Sequence, residues 1–170
     1  MKKYLSVVFI TVISIVLACG GAQKKDPNVT SNTDWNVWVN TSNNQLSSYP
    51  VGGFSYKSSR VSTSKWDKWA KNAAPIVKGI LDKIPQGYTL QVTGHTDSSG
   101  PEEPVGDKPG NIKISSDRAK FVHDALRRQG IKSKNLTYKG VGSSEPLSGV
   151  SSRSGKQRRV TFKVVPAQQQ

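Results

Sequence analysis

One cysteine, two histidines and one methionine stand among 170 residues, and Asp and Glu number 11 against 25 Lys and Arg. Each shortage closes off a class. A lone thiol, Cys19, forms no intrachain disulfide. With His95 and His123 as the other soft ligands, a four-ligand zinc site has no donor set without carboxylates, and no spacing supplies one. An enzyme needs a nucleophile beside a base, paired carboxylates or a metal. His95 and Asp97 lie two apart on an extended segment and no serine is marked as a nucleophile, so neither catalysis nor a cofactor is expected. No internal repeat is visible. The charge of +14 draws the chain to polyanions: nucleic acid, anionic lipid or an acidic polymer. Nucleic-acid binding usually needs a basic stripe interleaved with stacking aromatics. Here Arg127-Arg128, Lys132 and Lys134 are scattered along the chain. No nucleic-acid partner is expected.

What is present begins with Lys2-Lys3 and an uncharged, mostly apolar stretch from Tyr4 to Ala18. A basic start followed by a short apolar run is the pattern of a secretory signal. It falls short of the roughly 20 apolar residues of a spanning helix. The stretch ends Val16-Leu17-Ala18-Cys19-Gly20, which resembles the lipobox of bacterial lipoproteins. That likeness implies a signal peptide over 1–18, diacylglycerol on the Cys19 thiol and acylation of the new amine. Several acyl chains, at about 0.8 kcal/mol per buried methylene, hold a membrane where one chain would not. Loss of Lys2 and Lys3 leaves 14 − 2 = +12.

Residues 19–50 are rich in Asn, Ser, Thr and Gln and read as a polar linker. Trp35-Asn36-Val37-Trp38-Val39 is too apolar for a pure tether; docking as a short strand or clip and contact with a ligand both remain open. From 51 to 166 the signals are those of one domain, with a tail at 167–170. Strand is expected over Gly53–Lys57. A helix capped near Ser64 places Trp66, Trp69, Ala70, Ala73, Val77, Ile80, Leu81 and Ile84 on one face, with a kink at Pro75 and a stop at Pro85. Tyr88–Thr93 alternates as a half-buried strand. A second helix begins around Ser115 with Ala119, Val122, Ala125 and Leu126 inward and Gly130 after its end. Strands are expected at 136–139 and 159–164. The fold class is α+β, in the order β-α-β-α-β-β, with helices on one face of a small mixed sheet.

Gly94-His95-Thr96-Asp97-Ser98-Ser99-Gly100 resembles the OmpA-like peptidoglycan-binding family. Asn111-Ile112-Lys113-Ile114-Ser115-Ser116-Asp117-Arg118-Ala119 is similar to that family's Asn-x-x-Leu-Ser-x-x-Arg-Ala, and Gln129-Gly130-Ile131, Gly140-Val141-Gly142, Glu145-Pro146 and Arg158-Arg159-Val160 follow in order. Gly53–Lys57 and Gly142–Pro146 also look like OmpA-like surface lipoproteins of leptospires. The resemblance implies an outer-membrane, lipid-anchored lipoprotein that binds peptidoglycan through the diaminopimelate of the stem peptide. Asp97 and Arg118 would be the charged anchors, Thr96 and Asn111 neutral hydrogen-bonding groups, and Arg159 a neighbour of the groove. A carboxylate and a guanidinium suit a carbon that bears both ammonium and carboxylate. Arg118 is placed in the first turn of the second helix, where backbone N–H groups also favour an anion. The plainer reading is that Asp97 and Arg118 pair with each other. The departures are specific. Asp97 and Arg118 are twenty-one apart, wider than the family's usual spacing, because of residues 101–110 with Glu102, Glu103 and Asp107. Gln157 stands where the family has Asn, and Phe54-Ser55-Tyr56-Lys57 replaces an Asp-rich strand. That acidic insertion would cover the groove or change access to it. A surface lipoprotein binding host ligands with its basic face is the alternative function.

Overall fold

The computed structural model describes residues 32–167. The expected signal peptide and Cys19 lie outside the described residues, as does the start of the expected linker. Residues 31–170 form a compact unit of their own.

Three strands, β1 (Tyr88–Gly94), β2 (Leu136–Gly140) and β3 (Val160–Pro166), make one sheet in the order β2-β1-β3. β1 runs parallel to β2 and antiparallel to β3. Alternation decides the faces: Leu90 and Val92 align with Val164 and Phe162 and are buried, whereas Gln91 and Thr93 align with Lys163 and Thr161 on the other side. Two helices cover the buried face. The first of these, α2 (Thr63–Leu81), sets Trp66, Ala70, Ala73, Val77 and Ile80 inward at helical spacing. Pro75 sits within it on the exposed side, and the helix continues to Leu81 before Pro85. Trp69 stacks on Phe162 with ring centroids 5.4 Å apart. The second, α3 (Asn111–Arg128), contributes Ala119, Val122, Ala125 and Leu126. The α+β sandwich expected from the pattern is the fold observed.

Gly94 and Gly140 set how closely α3 lies on the sheet. A Cβ at Gly94 would overlap the carbonyl of Ser115, and one at Gly140 would overlap the amide of Ser116. The two bare backbones let the helix backbone rest directly on β1 and β2.

Three elements differ from expectation. Asn32–Ser47, within the segment read as linker, is a helix, α1. Its inward stripe is Trp38, Val39, Ser42 and Leu46, and Leu46 belongs to the core. Asn43 donates through Nδ2 to the Val164 carbonyl at 3.1 Å and accepts from the Val164 amide at 2.7 Å, so its side chain closes the edge of β3. The strand expected over Gly53–Lys57 is not formed. Only Val51 bridges to Val160, and Lys57 takes a positive φ of 56°. The carbonyls of Phe54 and Ser55 instead accept from Arg158 and Arg118. Finally, α3 starts at Asn111 rather than Ser115, because the Pro101 and Glu102 carbonyls accept from the first amides, those of Asn111 and Ile112.

Candidate functional site

Beyond the end of β1 the chain runs His95-Thr96-Asp97, and these three residues are buried although all are polar. The backbone is held on both sides: the His95 amide donates to Arg159 O and the Thr96 amide to Gly142 O. Here a cleft of about 340 Å³ opens. Thr96, Asp97, Asn111 and Arg118 all line it; Arg159 does not.

Asp97 is 2 % exposed. One oxygen accepts from Arg158 Nη1 at 2.7 Å and the other from the Ser99 amide at 2.9 Å. Burial pushes its pKa up, but Arg158 and the Ser99 donors outweigh that and hold it below the usual carboxylate value. Asp97 is thus an anion in any near-neutral compartment.

Arg118 is 1 % exposed and pairs with no carboxylate among the described residues. Its Nε donates to Ser58 O at 2.7 Å, Nη1 to His95 O at 2.8 Å and Nη2 to Ser55 O at 3.2 Å. A guanidinium has five N–H groups, so one remains on each terminal nitrogen, the fork that grips a carboxylate. Phe54 backs the group, its ring centroid 5.4 Å away. Burial and then Arg158 push its pKa down to about 10, with Asp97 pulling the other way, and it stays a cation at neutral pH. Arg118 is the eighth residue of α3, not a first-turn residue. The amides of Asn111 and Ile112 at that end are occupied by the insertion carbonyls, so the anion attraction expected there is largely met from within the chain.

The pairing of Asp97 with Arg118 therefore does not occur; Arg158 takes the carboxylate. Sequence reasoning chose Arg159 of this doublet, whereas Arg158 lines the cleft and spans from Asp97 to Phe54 O. Arg159 turns away and donates to the Gln157 and Glu145 carbonyls. The signal that separates them is parity: Arg158 shares that of Val160, Phe162 and Val164, the side covered by helices. A Cβ at Gly155 would crowd the Arg158 guanidinium, so that glycine leaves its space open.

Two neutral groups complete the floor. Thr96 Oγ1 is buried with no hydrogen-bond partner among the described residues. Asn111 donates to Gly100 O at 3.2 Å and to a Glu102 oxygen at 3.3 Å. Glu102 also accepts from the Ser143 amide and hydroxyl, which pins the insertion to the turn after β2. Gly142, at φ 56°, makes room for this carboxylate, which a Cβ would overlap. The insertion thus forms one wall of the cleft, with Val105, Lys108 and Pro109 facing it, and its acid Glu102 is spent on anchoring rather than on the opening. Lys57 and Tyr56 form the opposite rim. Among the charged lining residues, Lys57, Lys108, Arg118 and Arg158 face the single carboxylate Asp97. His95 lies behind the site with Nε2 2.9 Å from Thr161 Oγ1. His123 is buried, with the Tyr138 ring centroid 5.1 Å away.

Residues 54–159, more than half of the chain, match the model of the OmpA family. The chain belongs to the OmpA family. An outer-membrane lipoprotein of Pseudomonas aeruginosa, YfiB, is 31 % identical over 100 residues, covering 58 % of this chain and 52 % of its own. A probable lipoprotein of Escherichia coli, YiaD, is 30 % identical over 89 residues, 51 % of this chain and 37 % of its own. This OmpA-family chain thus spans about half or less of the length of these curated relatives. Among solved structures, the peptidoglycan-associated lipoprotein from Burkholderia pseudomallei superposes with a TM-score of 0.53 at 20 % identity, covering 71 % of this chain and 92 % of that one. The C-terminal domain of Helicobacter pylori MotB gives 0.51 at 18 % identity, covering 69 % and 84 %. At such identities the likeness establishes the shared fold.

Proposed function

We propose that this OmpA-family chain is a lipid-anchored outer-membrane lipoprotein that binds peptidoglycan without catalysis, its cleft taking the free end of diaminopimelate in the stem peptide. The observation that carries the reading is one floor that joins a buried carboxylate, a buried guanidinium with two unused N–H groups and an unpartnered Thr96 hydroxyl. Asp97 accepts from the ammonium, Arg118 grips the carboxylate, and Thr96 supplies a further hydrogen bond. A ligand with only one of the two charges leaves the other anchor unpaired, which is how such a site selects a zwitterion. The surplus of cations around the opening suits a polymer whose stem peptides carry more carboxylates. The names of the relatives, among them outer-membrane and peptidoglycan-associated lipoproteins, support both the location and the ligand. Cys19 is the residue to carry the lipid.

The test is co-sedimentation of residues 31–170 with purified sacculi, alongside Asp97→Asn and Arg118→Lys. Removal of one partner from a buried charge-assisted contact costs about 2–5 kcal/mol, so each variant is expected to lose at least roughly tenfold in binding. Competition by free diaminopimelate and not by Nα-acetyl-lysine amide, whose free end bears an ammonium alone, would place the selectivity in the zwitterionic end. A wild-type domain that stays in the supernatant, or variants that pellet equally well, would sink the proposal.

A further inference from the structure

The cleft occupies one end of the sheet, where β1 and β2 finish and α3 and β3 begin. At the other end lie the 82–87 segment before β1, the 129–135 segment before β2 and the end of β3. The register joins them there: Leu90 donates to Asn135 O, and Ala167 to Gly87 O. The 18 residues of α3 separate the two ends by about 27 Å.

Cations from two connections of the chain meet at this far end. Lys83 follows α2, Arg127 and Arg128 close α3, and Lys132 and Lys134 occupy the next connection; all five are exposed. Among the described residues none of the five takes part in an ion pair. The acids nearby are fewer. Asp82 is bonded to Lys78, Asp124 to Lys120, and Asp34 stands in the first turn of α1.

Asn43 bonds Val164 near the end of β3 and Val51 bridges Val160 at its start, so the chain advances toward the cleft and α1 begins at the far end. Its first turns carry Trp35, set edge-on to Trp38 at 6.3 Å, and Val37, which is 62 % exposed. Aromatic and aliphatic side chains at the same end of a domain as basic residues are the composition of a surface that settles on headgroups.

We propose that this basic pole is a docking surface for anionic phospholipid headgroups, so that the domain stands on the membrane with its cleft directed away from it. Lys and Arg that converge on one surface act together on a charged plane, and each contributes only while within a Debye length of it. The orientation places cleft and membrane on opposite sides of a single small domain, as bridging a membrane to a wall requires.

Flotation of residues 31–170 with vesicles of phosphatidylglycerol and phosphatidylethanolamine, against phosphatidylcholine vesicles, tests this directly. Binding to the anionic vesicles alone, weakened by salt, is expected. Combined Arg127→Gln, Lys132→Gln and Lys134→Gln is expected to lower vesicle affinity at least about tenfold, while the control Lys65→Gln, Lys68→Gln and Lys71→Gln on the first half of α2 changes it by less than about threefold. Thermal unfolding verifies that both variants fold. No binding to anionic vesicles, equal binding to phosphatidylcholine, or an equal loss in the control would overturn the proposal. Retention by soluble polyglutamate without vesicle binding would also overturn it and assign the pole to an acidic polymer. Vesicles read the pole and sacculi read the cleft, so either reading can fail alone.

Discussion

Arg118 shows why a single side chain resists a one-word role. Its three bonds to the carbonyls of Ser55, Ser58 and His95 tie the loop before α2 to the end of β1, and the residue also lines the cleft. Replacement by alanine would remove fold and site together. Thr96 separates the two. Its buried hydroxyl has no partner among the described residues, so Thr96→Val breaks no hydrogen bond among them. Thr96→Val is expected to leave the melting temperature unchanged or raised, while sacculus binding weakens about fivefold, one hydrogen bond of about 1 kcal/mol. Equal loss of stability and binding would show that the hydroxyl serves the fold.

His95 carries a different prediction. Burial first, then Arg159 and Lys139, push its pKa down to about 3, so it is neutral in the folded state. The unfolded chain protonates it near pH 6.5, while the folded chain does so only near pH 3. Its contribution to stability is therefore complete above pH 6.5 and declines as the pH falls toward 3. Urea unfolding at pH 7 and pH 4.5 is expected to show a drop from this residue of roughly 2–3 kcal/mol, absent from His95→Gln. Identical pH slopes in the two proteins would remove His95 as the cause.

At the scale of elements, the informative case is α1. Its composition is that of a tether, and Asn and Ser are poor helix formers, yet Trp35, Trp38, Val39, Ser42 and Leu46 recur at helical spacing. The stripe was legible, but a serine in the middle of it hid the period. No local rule announces that Asn43 will close the edge of β3, because that depends on a strand more than a hundred residues away. Asn43→Ala removes both bonds to Val164 and is expected to cost about 1–2 kcal/mol by denaturant unfolding. Truncation to Val51 also strips Leu46 from the core and should cost more. An unchanged midpoint in both would return 32–47 to the status of linker.

The strands and helices after residue 60 followed their periodicities because each depends on its own stripe. The Gly53–Lys57 segment did not, because two guanidinium groups from α3 and from the approach to β3 claim its carbonyls. The same contest explains the start of α3: the insertion supplies carbonyls that extend the helix back to Asn111.

At the scale of the whole molecule, charge is the property that changed meaning. Arg127, Arg128, Lys132 and Lys134 fall within eight residues without forming a stripe, and the fold adds Lys83 from the end of α2 at the same pole while keeping the cleft at the other. A net charge states how strongly a chain is drawn to polyanions; only the arrangement says which side faces them.

By itself, the sequence determined the fold class, the family motifs and four of the cleft residues, Thr96, Asp97, Asn111 and Arg118. Those signals are local periodicities and ordered motifs, and no distant partner is needed to produce them. The tertiary structure alone decided that Arg158 rather than Arg118 or Arg159 meets Asp97, that Glu102 anchors the insertion as a wall, and that α1 belongs to the domain. Each of these is a pairing between groups far apart in the chain, settled by which donor reaches which acceptor once the sheet and helices have packed.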